Sequence, residues 1–488
     1  MGASTLLLVL PVLGALAAAL VPAGADGRGP LKVAIGAAGA TLILTLALAL
    51  RFDTAGGEQF TTRLPWVPEI GVVFHLGLDG VALALAVLTG LLTLIALMVV
   101  PATMTRAERP FLIWFLLLEA AVMGVFAARD WFLFYVFWEL ALIPMFFLIG
   151  IWGGTRRAQA AYSFFMYTLA GSVVMLIGLM AAYVEAVAQG AVHGFEMTVI
   201  AEVMRNAPIE LQSFVFVCVA LGMAVKVPIV PLHGWLPTAH VEAPVPASIM
   251  LSGILLKMGG YGLLRLADMV PGAFEIFGAI ILALGVLTIV YGAVLAFRQD
   301  DLKAMIAYSS VSHMGFVVLG IGSLTEIGLR GAAVQMFSHG LVTAALFLLV
   351  GIVYAQTHSR SLIRSTGQAR NAPRFSVLLT MTLLASMGLP GLSGFVGEFQ
   401  VFMGGIERWG LTAALAGIGL ILTAAFSLRV FRRMVLMPVP RDSAVLRDLG
   451  TLELAAVLPL AALMLILGLF PGLISTLVAA DIAAALHP

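Results

Sequence analysis

Six ionisable side chains stand inside stretches too apolar to hold them in water. They are Glu139 in FYVFWELALIP, Lys226 in GMAVKVPIVPLHGW, Lys257 in MLSGILLKMGGYG, His313 in SSVSHMG, His339 in QMFSHGL and Glu398 in LSGFVGEF. Carboxylates, amines and imidazoles are the side chains that take up and release protons. A lysine in hydrocarbon costs about 2.5–3.5 kcal/mol on insertion scales, so such groups face the protein interior or a wet cavity and mark an ion or proton route. Each also has a plainer reading. Lys226 could cap the carbonyls freed at a helix break, or release a proton when a carboxylate moves away; a carboxylate at about 4 Å and an effective dielectric of about 20 is worth about 4 kcal/mol. Glu139 could be a neutral structural acid or the partner of Lys226. Lys257, with Gly259, Gly260 and Gly262 beside it, reads as a relay lysine or a packing one. The two histidines are relays or hydrogen-bonded packing groups, with Ser309, Ser310, Ser312 and Ser338 able to hold a file of water. Glu398 is a terminal proton site or the cap of a half-helix.

These residues need helices that cross a membrane and break inside it. Pro228, Pro231, Pro237, Pro244 and Pro246 follow Lys226 closely, and no continuous helix passes such a run. A second interruption, SMGLPGLSGF, precedes Glu398. Broken helices are tolerated in hydrocarbon only where they are buried or line a cavity, and they are the usual build of transporter sites. About fourteen apolar runs reach spanning length, starting near residues 3, 31, 80, 110, 131, 160, 213, 247, 273, 302, 327, 375, 410 and 452. The first lacks a basic leader, which predicts an uncleaved helix. ARDWFLFYVFWEL at the fifth run and RQDDLKAMIAYSSV at the tenth are weakly alike, and the breaks fall in the seventh and twelfth. This spacing predicts two five-helix units, 110–270 (helices 4–8) and 271–437 (helices 9–13), preceded by 1–109 and followed by 438–488. Loops after odd runs hold sixteen basic residues, Arg106, Lys303, Arg364 and Arg441 among them, and loops after even runs hold seven. That bias predicts both termini on the outer face of the membrane.

Composition narrows the class. Hydrophobic residues are 61% of the 488 and charged residues 10%, far from a soluble domain. The net charge of +1 suggests no nucleic acid. The single cysteine, Cys218, offers no disulfide or cluster ligation, and no nucleotide-binding glycine motif is present, so no cofactor is expected on this chain. His233 and His240, spaced HGWLPTAH, lack the helical spacing and acidic companions of a metal site. Residues 52–79 read as an exposed polar loop without nameable chemistry. Glu119 reads as a buried acid without an assigned step, while Glu242 and Asp79 read as interfacial.

Together GMAVKVPIVPLHGWLPTAHVEAPVPAS, YVFWELALIPMF, GILLKMGGYGLLR, AYSSVSHMGF and MGLPGLSGFVGEF resemble the antiporter-like subunits of proton-pumping NADH–quinone oxidoreductase, respiratory complex I, over essentially the whole chain. Sister subunits usually carry a lysine where this chain has Glu398, which places the likeness in the M branch. The resemblance implies an all-α polytopic membrane protein of about fourteen helices, two inverted five-helix repeats and discontinuous helices 7 and 12. It implies that Glu139 and Lys226 are a coupling ion pair, that Lys257, His313 and His339 form a central axis, and that Glu398 is the output group. It also implies a multi-pass bacterial plasma-membrane location, sister subunits on both sides, FMN, iron–sulfur clusters and quinone on partner subunits, and no lateral tethering helix here. Competing readings are a sodium/proton antiporter subunit, a membrane subunit of a proton-pumping hydrogenase, a passive scaffold and a quinone-processing enzyme. Sodium prefers a cage of oxygen ligands, which these groups do not offer.

Overall fold

A computed structural model describes residues 2–22, 24, 28–104, 108–363, 366–438 and 446–486, leaving Arg106, Arg364 and Arg441 of the charge bias outside the described residues. The chain is a helical membrane protein. Among the described residues, thirteen helical stretches are long and apolar enough to cross a bilayer. We number the helices α1 (Ala3–Leu20), α2 (Gly29–Arg51), α3 (Gly80–Met98), α4 (Arg109–Ala127), α5 (Trp131–Trp152), α6 (Arg157–Ala188), α7 (Ile209–Lys226 and Trp235–Glu242), α8 (Val245–Met269), α9 (Pro271–Arg298), α10 (Leu302–Gly322), α11 (Glu326–Thr357), α12 (Pro373–Ser386 and Ser393–Trp409), α13 (Gly417–Phe431), α14 (Thr451–Leu469) and α15 (Gly472–Leu486). The count differs from fourteen because α12 is two short pieces, the second running on towards α13 as one 44-residue apolar stretch.

Burial sorts these helices into an inside and an outside. The apolar windows of α8 and α10 are 94% buried and that of α11 is wholly buried, whereas those of α6 and α9 are 39% buried. A helix apolar all round belongs in the core or against lipid. Here α8, α10 and α11 are the core, and they carry Lys257, His313 and His339.

The weak sequence repeat has a structural counterpart. Asp130 caps α5 by accepting from the Phe132 and Leu133 N–H groups, and Asp301 caps α10 by accepting from Lys303 and Ala304. Each also bridges the loop leading towards the next broken helix, Asp130 with Glu196 and Asp301 with Ser361. The long helices α6 and α11 both have 32 residues; α6 lies along the first piece of α7, and α11 along the second piece of α12. Five crossings bring the chain to the opposite face, so the second unit runs inverted relative to the first. The caps accordingly sit at opposite ends of the bundle, Asp130 beside Arg129 and Asp301 beside Arg360.

Two parts of the sequence reading need correction. Residues 52–79 are not a polar loop: Gln59–Val67 and Val72–Leu78 pair as an antiparallel hairpin, β1 and β2. The second strand buries Val72, Val73, Leu76 and Leu78 against the bundle, a pattern hidden by charges concentrated on the first strand and its approaches. The chain also continues after α14 into α15, whose Ile474, Val478 and Ile482 form a buried stripe against α3 and α11.

Candidate functional site

Four of the six polar residues meet. The helix around Lys257 widens to a π-turn over Leu251–Leu255, just before the lysine. Such turns loosen the carbonyl ladder and often mark functional positions. Lys257 Nζ donates to the Ser252 carbonyl at 2.5 Å and lies 2.6 Å from His339 Nδ1. The His339 ring centroid is 5.5 Å from that of His313. His313 Nδ1 lies 2.9 Å from Glu398 Oε1, and its Nε2 lies 3.4 Å from Ser386 Oγ. The four side chains therefore form a line through α8, α11, α10 and α12, all buried. His339 Nε2, Ser338 Oγ and Gln335 Oε1 along it have no protein partner. Buried polar groups of this kind are where ordered water binds.

The break in α12 is built to admit Glu398. The second piece starts at Ser393, so Glu398 lies in its second turn and faces His313 rather than capping the half-helix. The expected support from the helix N-terminus is weak there, because that field fades within the first turn. Gly388, at φ +71°, occupies the break, and a Cβ there would come within 2.6 Å of Glu398 Oε2.

Glu139 and Lys226 form a second group, and they do not touch. Lys226 ends the first piece of α7 and is 1% exposed, yet its Nζ has no hydrogen-bond partner. Its ammonium instead stands 5.1 Å from the Trp138 ring centroid and 5.8 Å from that of Phe164. Cation–π contacts of this kind are worth about 2 kcal/mol when desolvated. Carbonyls at the break are met by others: Trp235 Nε1 donates to Val225 O at 2.9 Å and Ile229 N to Ala224 O. Lys226 Nζ bonds to none of these carbonyls. Glu139, half-buried next to Trp138, is the carboxylate whose field reaches Lys226. The two groups connect through close packing: a Cβ on Gly259, two residues past Lys257, would strike Val227 and the Met223 carbonyl, which flank Lys226.

Other expectations shift. The Ser309 hydroxyl donates to the Ile306 carbonyl, a local bond that serine readily makes in helices, whereas the Ser312 hydroxyl donates across to the Ile289 carbonyl of α9. Ser310 shares a hydrogen bond with Ser252 at 3.0 Å, tying α10 to the π-turn of α8. His240 is buried and stacks on Phe347, whereas His233 meets Tyr291 edge-on. Glu119 is fully buried with neither oxygen partnered. Lys303, counted above as a loop residue, is 4% exposed and donates to the Ala243 carbonyl at 2.6 Å. It lies beside a vestibule of about 820 Å³ lined by Glu242, Asp301 and Arg360. Asp79, read as interfacial, is buried between Arg129 and Arg265 at the other end of the bundle. Burial opposes its charge, but the two guanidiniums outweigh it and hold the carboxyl well below its ordinary range. Lys303 was hidden by its place at a helix start, and Asp79 by partners far away in sequence.

Comparison with known proteins bears on this arrangement. Residues 128–425 match the family profile described as NADH:quinone oxidoreductase/Mrp antiporter, TM. The chain is 39% identical over 435 residues to NADH-quinone oxidoreductase subunit M of Rickettsia prowazekii, covering 88% of this chain and 87% of that one. The chain belongs to the NADH–quinone oxidoreductase subunit M family. A chain of respiratory complex I from Thermus thermophilus superposes on this subunit M family member with a TM-score of 0.89, at 32% identity and 99% coverage of both chains. A chain of the Mrp complex from Dietzia sp. has the same fold, with a TM-score of 0.87 at 23% identity, covering 100% of this chain and 97% of that one. Subunit M family members are membrane-arm subunits of a proton-translocating NADH–quinone oxidoreductase, and this is the function of the chain.

Proposed function

We propose that this subunit moves protons along its two buried polar groups. Lys226 exchanges its proton when Glu139 and the Trp138–Phe164 rings compete for its ammonium. The proton passes to Lys257, then to His339, His313 and Glu398, with water bridging the 5.5 Å step between the imidazoles. Quinone reduction on FMN- and iron–sulfur-bearing partner subunits would drive the switch at Glu139, delivered through sister antiporter-like subunits on either side. The basic bias favours an Arg360 vestibule on the cytoplasmic side and both termini outside. In this reading Lys303 and His240 lie on the cytoplasmic approach to Lys257.

The observation that carries the proposal is the Lys257–His339 contact of 2.6 Å next to the His313–Glu398 contact of 2.9 Å inside one buried core. Lys257→Met keeps the volume and removes the exchangeable proton. In the assembled complex in sealed vesicles, NADH-driven acidification should fall to background. Acidification at the parental rate would refute the relay.

A further inference from the structure

At the Arg265 end of the bundle, a cavity of about 500 Å³ reaches down to Tyr261, Asp79, Arg129 and Arg265. Tyr261 is one helical turn, and Arg265 two turns, beyond Lys257 on α8, roughly 6 and 12 Å along the axis. Tyr261 is fully buried. Its hydroxyl donates to the Phe126 carbonyl at 3.0 Å and accepts from Arg265 Nη2 at 2.9 Å, and its ring lies 4.6 Å under the Arg265 guanidinium. Arg265 Nη2 also donates to Asp79, which caps α3. Arg129 Nη1 donates to the same Asp79 oxygen at 3.0 Å, and Arg129 Nε donates to the Gly77 carbonyl at 3.2 Å. One carboxylate thus locks the hairpin end and helices α3 and α8 around the tyrosine.

Two features separate this cluster from a merely structural ion pair. Two buried guanidinium nitrogens, Arg129 Nη2 and Arg265 Nε, have no partner. The two arginines also share a single oxygen of Asp79, while Glu58, which lines the same cavity, is paired with His75 and reaches Arg129 only through its field. A further carboxylate, Asp481 on α15, accepts from the Val81 N–H at 3.1 Å, and burial together with Asp79 pushes its pKa up to about 7. Fixed arginines at a constriction exclude protons and cations electrostatically.

We infer that Arg129, Asp79, Arg265 and Tyr261 form an arginine-held seal that closes the path between the cavity and Lys257. Protons on Lys257 then leave through the histidines and Glu398 instead of running straight along α8. Arg265, Arg129 and Asp79 are positioning residues; Tyr261 is the stopper they hold. The inference rests on the relay reading for its meaning, but its geometry can be tested without it.

The test places Lys257→Cys in a Cys218→Ser background within the assembled complex and applies a membrane-impermeant thiol reagent to vesicles of each orientation. With the seal intact, the cysteine should stay unlabelled from the Arg265 side. With Asp79→Asn and Arg265→Gln added, labelling from that side should accelerate roughly tenfold or more, the effect of lowering a barrier by about 1.4 kcal/mol. If that combination fails to assemble, Tyr261→Phe, which keeps the ring but loses both hydroxyl contacts, is read the same way. Equal labelling with and without the seal, or none in either, overturns the inference. Labelling reports access alone, so either result leaves the proton role of Lys257 to the acidification assay.

Discussion

At the residue scale, what distinguishes the axis is that each titratable group contacts another hydrogen-bonding group it could trade a proton with. Glu398 has its Oε1 against His313 Nδ1 and, at 3.4 Å, Gln335 Nε2. Glu398→Gln preserves hydrogen bonding of similar shape but cannot titrate. Proton pumping by vesicles of the assembled variant should collapse, while Glu398→Asp, one methylene shorter, should retain a measurable fraction. Equal pumping by the two would show that Glu398 only packs. The six residues were readable from sequence because each is an isolated polar group in an apolar helical run. The relation between Glu139 and Lys226 was not: whether a lysine side chain rests on a carboxylate or on Trp138 and Phe164 depends on rotamers, and both neighbours are in reach of the same helix break.

At the element scale, breaks and caps set the geometry. Gly388 holds the α12 break with φ +71°, and Gly388→Ala adds both left-handed strain, about 1–2 kcal/mol, and a collision with Glu398. The purified complex should lose thermal stability and pumping together; an unchanged melting temperature would show that the break relaxes freely. Asp130 caps α5 from full burial and also accepts from the Val73 N–H at 3.3 Å. Burial raises its pKa to about 6, despite the backbone donors that favour the charged form. Above pH 6 the charge is a cost; as pH falls through 6 towards 4 the folded state takes up the proton first and that cost disappears. Asp130→Asn keeps the cap without the charge. Its melting temperature should exceed that of the parent at pH 7 and the gap should close by pH 4–5, whereas a gap independent of pH would contradict this environment. The capping aspartates were visible in the ARDW and RQDD strings, and so was the repeat. The hairpin was not, because Pro65 and the charges of its first half mask the apolar residues that β2 buries.

At the scale of the whole molecule, the chain joins two inverted units across a buried polar line, with a vestibule at one end and the Tyr261 cavity at the other. Nitrogen donors dominate the middle of the line, which suits protons better than sodium. Most of the spans and the two breaks were legible because hydropathy and proline act locally. The Arg129–Asp79–Arg265 cluster was not legible, since its members lie 50 and 186 residues apart and each alone looks like an ordinary loop charge. The proposed relay begins at Lys226, so the account rests most heavily on it. The direct test is proton translocation by the complex carrying Lys226→Ala, reconstituted in sealed vesicles and supplied with NADH and quinone. The account predicts that pumping and the quinone reduction coupled to it are both lost. Full pumping by that variant would contradict it.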